Sequence, residues 1–338
     1  MKVESGKIMR MVVLACVSIA FLFPLSAFHS TQAQDQHFSM LDLDPMLFNP
    51  AYSGFFDGSG RFGVVYRNQW ATVTNPFQTV TASAEWALMR SNRTMNGLNA
   101  GLWLSADREG TLHYGTTSAA AVLSYFQSLD LHGSNIVSAA IELGGGQVGF
   151  TTEDIDMSDG SEQFNRTHAF YPALGAGVAW FHQVSDALYT KVGISARNLN
   201  EPDISYLGMN DTRLSRRYNA YVRAEWRMAG QWSLLPVAGY QRQGAFNELV
   251  YGCDVRCYVR ESSRDYLVLS GGVMGRHRDA MALNFAVLWH EWTFAFSYDA
   301  NLSQLAAASH TIGAFELGVI YMIAKKDTRH RALPCPII

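Results

Sequence analysis

Trp292-Thr293-Phe294-Ala295-Phe296-Ser297-Tyr298-Asp299 places a bulky ring at every second position and a small or polar residue between. Period two is strand geometry, because successive side chains leave a strand on opposite faces. The same alternation runs through Met281-Leu283-Phe285-Val287-Trp289, Tyr218-Ala220-Val222-Ala224-Trp226, Leu188-Thr190-Val192-Ile194 and Phe315-Leu317-Val319-Tyr321. Each run spans about ten residues and ends in turn chemistry or a polar loop, as strands do and helices do not.

Soluble sandwiches alternate as well, so the chemistry of the two faces decides the class. Aromatic residues collect at the ends of the oily faces: Trp86, Trp226, Trp232, Tyr240, Trp289, Trp292 and Tyr321. Membrane barrels put aromatic girdles at both interfaces. The opposite faces carry Lys191, Arg197, Arg223, Glu225 and Arg227 among small residues. A sandwich core would not bury three charges on one strand, whereas a barrel accepts lipid outside and a wet or polar lumen inside. The expectation is an all-β fold, a transmembrane antiparallel β-barrel. Segments from Arg61–Trp70 to Thr311–Ile323 number about fourteen, an even count as single-chain bacterial barrels require. Phe285, Val287, Phe296 and Val319 then face lipid, while Arg223, Glu225, Arg227 and Asp299 face the lumen. On that reading Asp299→Asn is far milder than Phe296→Arg. The long polar connections around Thr151–Thr167 and Asn200–Arg216 are expected on the extracellular side.

Composition agrees. The 338 residues are 48% hydrophobic and only 16% charged, against roughly 25% charged in an average soluble domain. Mean hydropathy is −0.02, and beyond the first thirty residues no apolar run approaches the ~18 of a membrane helix. Net charge is −3 and pI about 6.4, which removes the electrostatic case for nucleic acid.

The N-terminus is an address. Lys2, Lys7 and Arg10 precede the apolar run Met11 to Phe23, Pro24 breaks it, and Thr31-Gln32-Ala33 offers a cleavage site. Residues 1–33 read as a secretory signal peptide cut between Ala33 and Gln34. The mature chain, 34–338, reads as one barrel domain with a non-strand segment at 34–60 and a tail at 324–338. That segment holds Pro45 and Pro50, yet Met46-Leu47-Phe48 and Ala51-Tyr52 are too apolar for a solvated tail. It is expected to pack inside or beneath the barrel, with Asn49-Pro50 as a turn and Phe48 and Tyr52 as anchors. It serves either as a stiffening plug or as a contact for a periplasmic partner or cargo.

Motifs with chemistry fail one by one. Gly144 to Gly149 matches GxGxxG without the helix a nucleotide fold needs next. Asp154-Ile155-Asp156-Met157-Ser158-Asp159-Gly160 has its Gly one place late for a calcium loop, and Asn165 where Glu belongs. Cys253 and Cys257 are four apart in a strand, about 13 Å by strand rise and beyond disulfide reach. The expectation is no enzyme, no cofactor and no metal.

Gln34-Asp35-Gln36-His37-Phe38-Ser39, Phe48-Asn49-Pro50-Ala51-Tyr52, Tyr66-Arg67-Asn68-Gln69-Trp70, Phe296-Ser297-Tyr298-Asp299, Leu302-Ser303 and Ala314-Phe315-Glu316-Leu317 resemble, in order and spacing, the PorP/SprF family. These are outer-membrane components of the type IX secretion system. The resemblance implies an integral outer-membrane barrel of about fourteen strands that helps export or anchor cargo carrying a C-terminal sorting domain, an adhesin among them. It implies partners too: outer-membrane lipids, periplasmic ring subunits and a peptidoglycan-binding lipoprotein. Tyr66, Arg67, Gln69, Trp70, Ser297, Tyr298, Asp299, Ser303 and Glu316 are the motif residues. A passive porin or solute transporter is the second reading, and a secreted glycan-active β-protein the third.

Overall fold

The computed structural model describes residues 38–69, 76–91, 95–110, 114–150, 167–205, 212–228, 230–262, 265–302 and 312–323. Alternating residues build fourteen strands: β1 (Gly60–Gln69), β2 (Phe77–Ser91), β3 (Asn96–Glu109), β4 (Tyr114–Ser128), β5 (Asn135–Gly149), β6 (His168–Ser185) and β7 (Leu188–Arg197). β8 (Arg217–Arg227), β9 (Trp232–Gln243), β10 (Phe246–Ser262), β11 (Asp265–Arg276), β12 (Ala280–Trp289), β13 (Trp292–Asn301) and β14 (Ile312–Ile323) complete the set. Each pairs antiparallel with its sequence neighbours. β1 pairs with β14, from Gly60 opposite Ile323 to Gln69 opposite Ala314, and closes the barrel.

The ends of the barrel differ. Where β1 begins and β14 stops, the connections run two to six residues; the opposite end carries the 150–167 and 198–216 connections. Short turns mark the periplasmic end and long loops the extracellular one. Across the wall the period-two pattern sorts side chains. Phe285, Val287, Phe296 and Val319 are exposed on the outside, while Arg223, Glu225, Asp299 and Glu316 are buried inside.

Some strands run well past ten residues. β2 extends from Phe77 to Ser91 through a bulge between Ala87 and Met89. β10 reaches Ser262 through a bulge near Tyr258. β6 begins at His168 and passes through Pro172, a residue that reads as a strand start because its missing N–H removes a ladder bond. The Gly144–Gly149 run lies within β5. Cys253 and Cys257 are free and sit on the outer face. The Ala33-Gln34 junction, Trp70, the Asp154–Asn165 loop, Ser303 and the 324–338 tail lie outside the described residues.

Candidate functional site

Residues 38–59 have no alternation to join a wall, and they fill the lumen. Pro45 opens a four-residue helix, α1 (Pro45–Phe48), and Pro50 opens a 3₁₀ turn to Tyr52. Proline fits a first helical position but drives the residue before it extended, so α1 must end at Asn49, which has φ −148° and ψ 117°. The Asn49 side chain then caps the next turn, its Oδ1 accepting from Ala51 N at 2.9 Å. Its Nδ2 donates to the carbonyls of Val178 and Ile194 at 3.1 and 3.2 Å. The wall admits this contact because Gly177 and Gly193 face it: a Cβ on either would collide with Asn49.

The strap runs the height of the barrel. Ser39 meets Arg67, Arg276 and Asp299 near the extracellular ends of their strands, while Ser59 N donates to the Ile323 carbonyl at the periplasmic end. Its extracellular end is held by ions. Ser39 N donates to Glu316 Oε1 at 2.6 Å, Met40 N to Glu316 Oε2 at 3.1 Å, and Ser39 Oγ to Asp299 Oδ2 at 2.8 Å. Arg67 binds Glu316 and, at 2.9 Å, Asp299; Arg276 reaches Asp299 at 2.8 Å and Ser39 Oγ at 2.7 Å. Arg67 and Glu316 are also direct partners across the β1–β14 seam.

Lower down, Asp42 accepts from Lys191 Nζ at 3.1 Å and Tyr221 Oη at 2.6 Å and pairs with Arg223. Phe48 and Tyr52 pack on Tyr221, each with centroids 5.6 Å apart, and Tyr52 meets Phe181 edge-on at 5.9 Å. Lys191 lies 4.7 Å above the Tyr52 ring, a cation–π contact away from water. Nearer the periplasm, Glu85 accepts from Gly54 N and from Arg61 Nε, both at 2.7 Å.

Asp44 is the exception. It is 7% exposed, and no described side chain hydrogen-bonds its carboxylate. Burial, reinforced by the Glu85 charge, pushes its carboxyl up to about 7. It borders a cavity of about 70 Å³ that also touches Trp103, Glu142 and Arg197.

Several residues picked out in the sequence therefore meet on the strap. Arg67, Asp299 and Glu316 form the clamp, and Ser297 stands next to it, donating to Asn284 Oδ1 at 2.8 Å. Tyr66 and Tyr298 point outward, Tyr66 beside Phe315, and Gln69 ends β1. Arg197 pairs with Glu142 at 2.5 Å and donates to the Met46 carbonyl at 3.3 Å. Glu225 bonds Tyr258 and lies 3.5 Å from Arg256. Arg227 has the lumen parity but sits at the periplasmic rim, where it is half exposed and paired with Glu261 at 2.8 Å. Phe48, Asn49, Pro50 and Tyr52 are all buried. Lys191, Arg197, Arg223 and Glu225 are buried and ion-paired where the sequence reading allowed a wet interior. Arg276, Asp42, Asp44 and Glu85 were missed. Parity with Met274 assigns Arg276 to the lumen, but nothing local signals that Asp42 or Asp44 would be buried.

A closed apolar-walled barrel of fourteen antiparallel strands with short turns at one end, filled by its own N-terminal strap, defines a class: an integral outer-membrane β-barrel carrying an internal plug. Within that class the chain belongs to the PorP/SprF family, matching over residues 30–321 the family described as "Type IX secretion system membrane protein PorP/SprF". No curated protein matches the sequence. Among solved structures, the chain is similar to the CymD monoaromatic hydrocarbon channel, with 10% identity, TM-score 0.50, and 86% of this chain and 95% of that one covered. It is also similar to the Ralstonia pickettii toluene transporter TbuX, with 12% identity, TM-score 0.49, and 83% and 93% covered. At 10% identity the likeness to CymD is one of fold alone. An integral outer-membrane barrel removes the secreted, soluble alternative.

Proposed function

We propose that the protein serves type IX secretion as a closed accessory barrel. It assists export or surface anchoring of cargo with a C-terminal sorting domain, working beside periplasmic ring subunits and a peptidoglycan-binding lipoprotein, and does not pass solutes through its own lumen. The observation that carries this reading is the strap: Met46, Ala51, Tyr52 and Asn49 are each no more than 3% exposed in the space a porin would leave open. Water-filled channels are a property of wider barrels, and eight-stranded ones are already filled by side chains. Fourteen strands lie between, and here the strap occupies the difference.

Two measurements test it. A deletion strain should lose sorting-domain cargo from its surface and medium while small-solute uptake is unchanged. The purified barrel in a planar bilayer should show no steady conductance. An unchanged secretome together with an open channel would establish the porin reading instead.

A further inference from the structure

The outer face of β3 to β6 carries a polarity gradient that strand packing does not require. At the extracellular ends of these strands the register aligns Arg108, Gly115, Gly149 and His168 in one row, each paired with the next. Four residues nearer the periplasm on each strand, the row is Leu104, Ala119, Gly145 and Pro172. Thr117 and Gln147 pair between the two rows. The wall thus passes from basic through polar to apolar.

The two basic side chains of the upper row rest on glycine. A Cβ on Gly115 would lie 3.6 Å from Arg108 Cγ, and one on Gly149 only 2.6 Å from the His168 ring. Arg108 is exposed, and no described residue pairs with its guanidinium. Its neighbours Asp107 and Glu109 have the lumenal parity of β3. His168 Nδ1 engages Thr167 Oγ1 at 2.9 Å. When that hydroxyl donates, Nε2 carries the imidazole hydrogen and is a donor in its own right. Just below, Thr117, Ala119, Gly145, Gln147, Phe170 and Pro172 line a groove of about 570 Å³. The small residues Ala119 and Gly145 lower its floor, and Phe170, 76% exposed, stands at its side.

The occupant follows from what this face touches. The outer wall of an integral barrel meets lipid, so an acyl chain is what fills an apolar groove in it. An arginine on that wall is tolerated best near the interface, where headgroups lie. Guanidinium binds phosphate through parallel N–H bonds, so an anionic headgroup completes Arg108. We propose that β3–β6 hold a phosphorylated lipid of the outer leaflet, its phosphate between Arg108 and His168 and an acyl chain in the groove below. The site depends on the barrel being in the membrane and holds whether or not the barrel serves secretion.

The test uses the full-length barrel, purified in detergent, stripped of lipid and incubated with monophosphorylated lipid A. Native mass spectrometry should show the lipid retained, and Arg108→Ala combined with His168→Ala should weaken retention by about tenfold. Ala119→Leu, which fills the groove, should weaken it as well. Arg242→Ala, at another exposed arginine near the extracellular end of β9, should not. Heat-modifiability identifies which variants have folded. Dephosphorylated lipid A retained equally well, or wild-type retention by the folded double variant, would overturn the proposal. Inorganic phosphate bound as tightly as the lipid would also overturn it, since the groove would then contribute nothing.

Discussion

The two halves of the strap are held by different chemistry. At the extracellular end Ser39 sits among Arg67, Arg276, Asp299 and Glu316, drawn from β1, β11, β13 and β14. In the middle Phe48, Tyr52 and Phe55 pack on Phe181 and Tyr221 from β6 and β8, across the lumen. Aromatic burial supplies free energy and tolerates small shifts. Buried ions supply little net free energy, because desolvation offsets their attraction, but they penalise any arrangement that separates them. The aromatic half therefore holds the strap in the barrel, and the ionic half fixes its register. Because the ionic half straddles the seam, it also reports whether β1 and β14 have met.

The largest expected effect breaks the ionic half. Arg67→Met leaves Asp299 and Glu316 buried with too few partners, which should destabilise the barrel by on the order of 4 kcal/mol. The unfolding midpoint in urea, read by heat-modifiability, should fall accordingly; an unchanged midpoint would mean the clamp is hydrated. Next comes the aromatic half. Phe48→Ala or Tyr52→Ala opens a cavity beneath Tyr221 and should cost on the order of 3 kcal/mol. If both halves act on one strap, the effect of Arg67→Met combined with Tyr52→Ala should fall short of the sum of the singles, since a strap already released has less to lose. Strict additivity would separate the halves.

A third comparison sets the wall against the clamp. Phe296→Arg puts a charge on the lipid face and should cost roughly 2–3 kcal/mol near the midplane. Asp299→Asn would be mild in a wet lumen. In this one it removes the charge that faces both Arg67 and Arg276, so its effect on folded barrel abundance should approach that of Phe296→Arg. Near-wild-type abundance of Asp299→Asn would restore the wet lumen.

What was legible in the sequence follows from period. β12 and β13 could be oriented residue by residue, since Phe285 and Phe296 face one way and Asn284 and Ser297 the other. The strap has no period, so only composition spoke for it: the rings of Phe48 and Tyr52 demanded burial, and Pro50 demanded a turn. Its polar partners were out of reach. Ser39 and Glu316 are 277 residues apart, and only barrel closure brings them together. Arg227 shows the limit of parity, which gives the face of a strand but not the depth along it.

The smallest effect tests the residue that belongs to neither half. The buried Asp44 carboxyl is raised from 3.8 to about 7 by burial and then by Glu85, against opposing contributions from Arg61, Arg197 and the Leu47 backbone N–H. A carboxyl raised by folding favours the seated strap in its protonated form. That contribution is fully present below the unfolded value of 3.8 and is lost as pH rises through about 7. Between pH 5 and pH 8 the seated state should weaken by on the order of 2 kcal/mol. Asp44→Asn should abolish this slope and leave the barrel more stable than wild type at pH 8, because the amide carries no charge to desolvate. Urea midpoints of the two proteins across that range decide it. Parallel curves would mean that Asp44 is neutralised by something other than a proton. The 70 Å³ cavity beside it, with room for about two waters, is where a hydrated cation would then be sought.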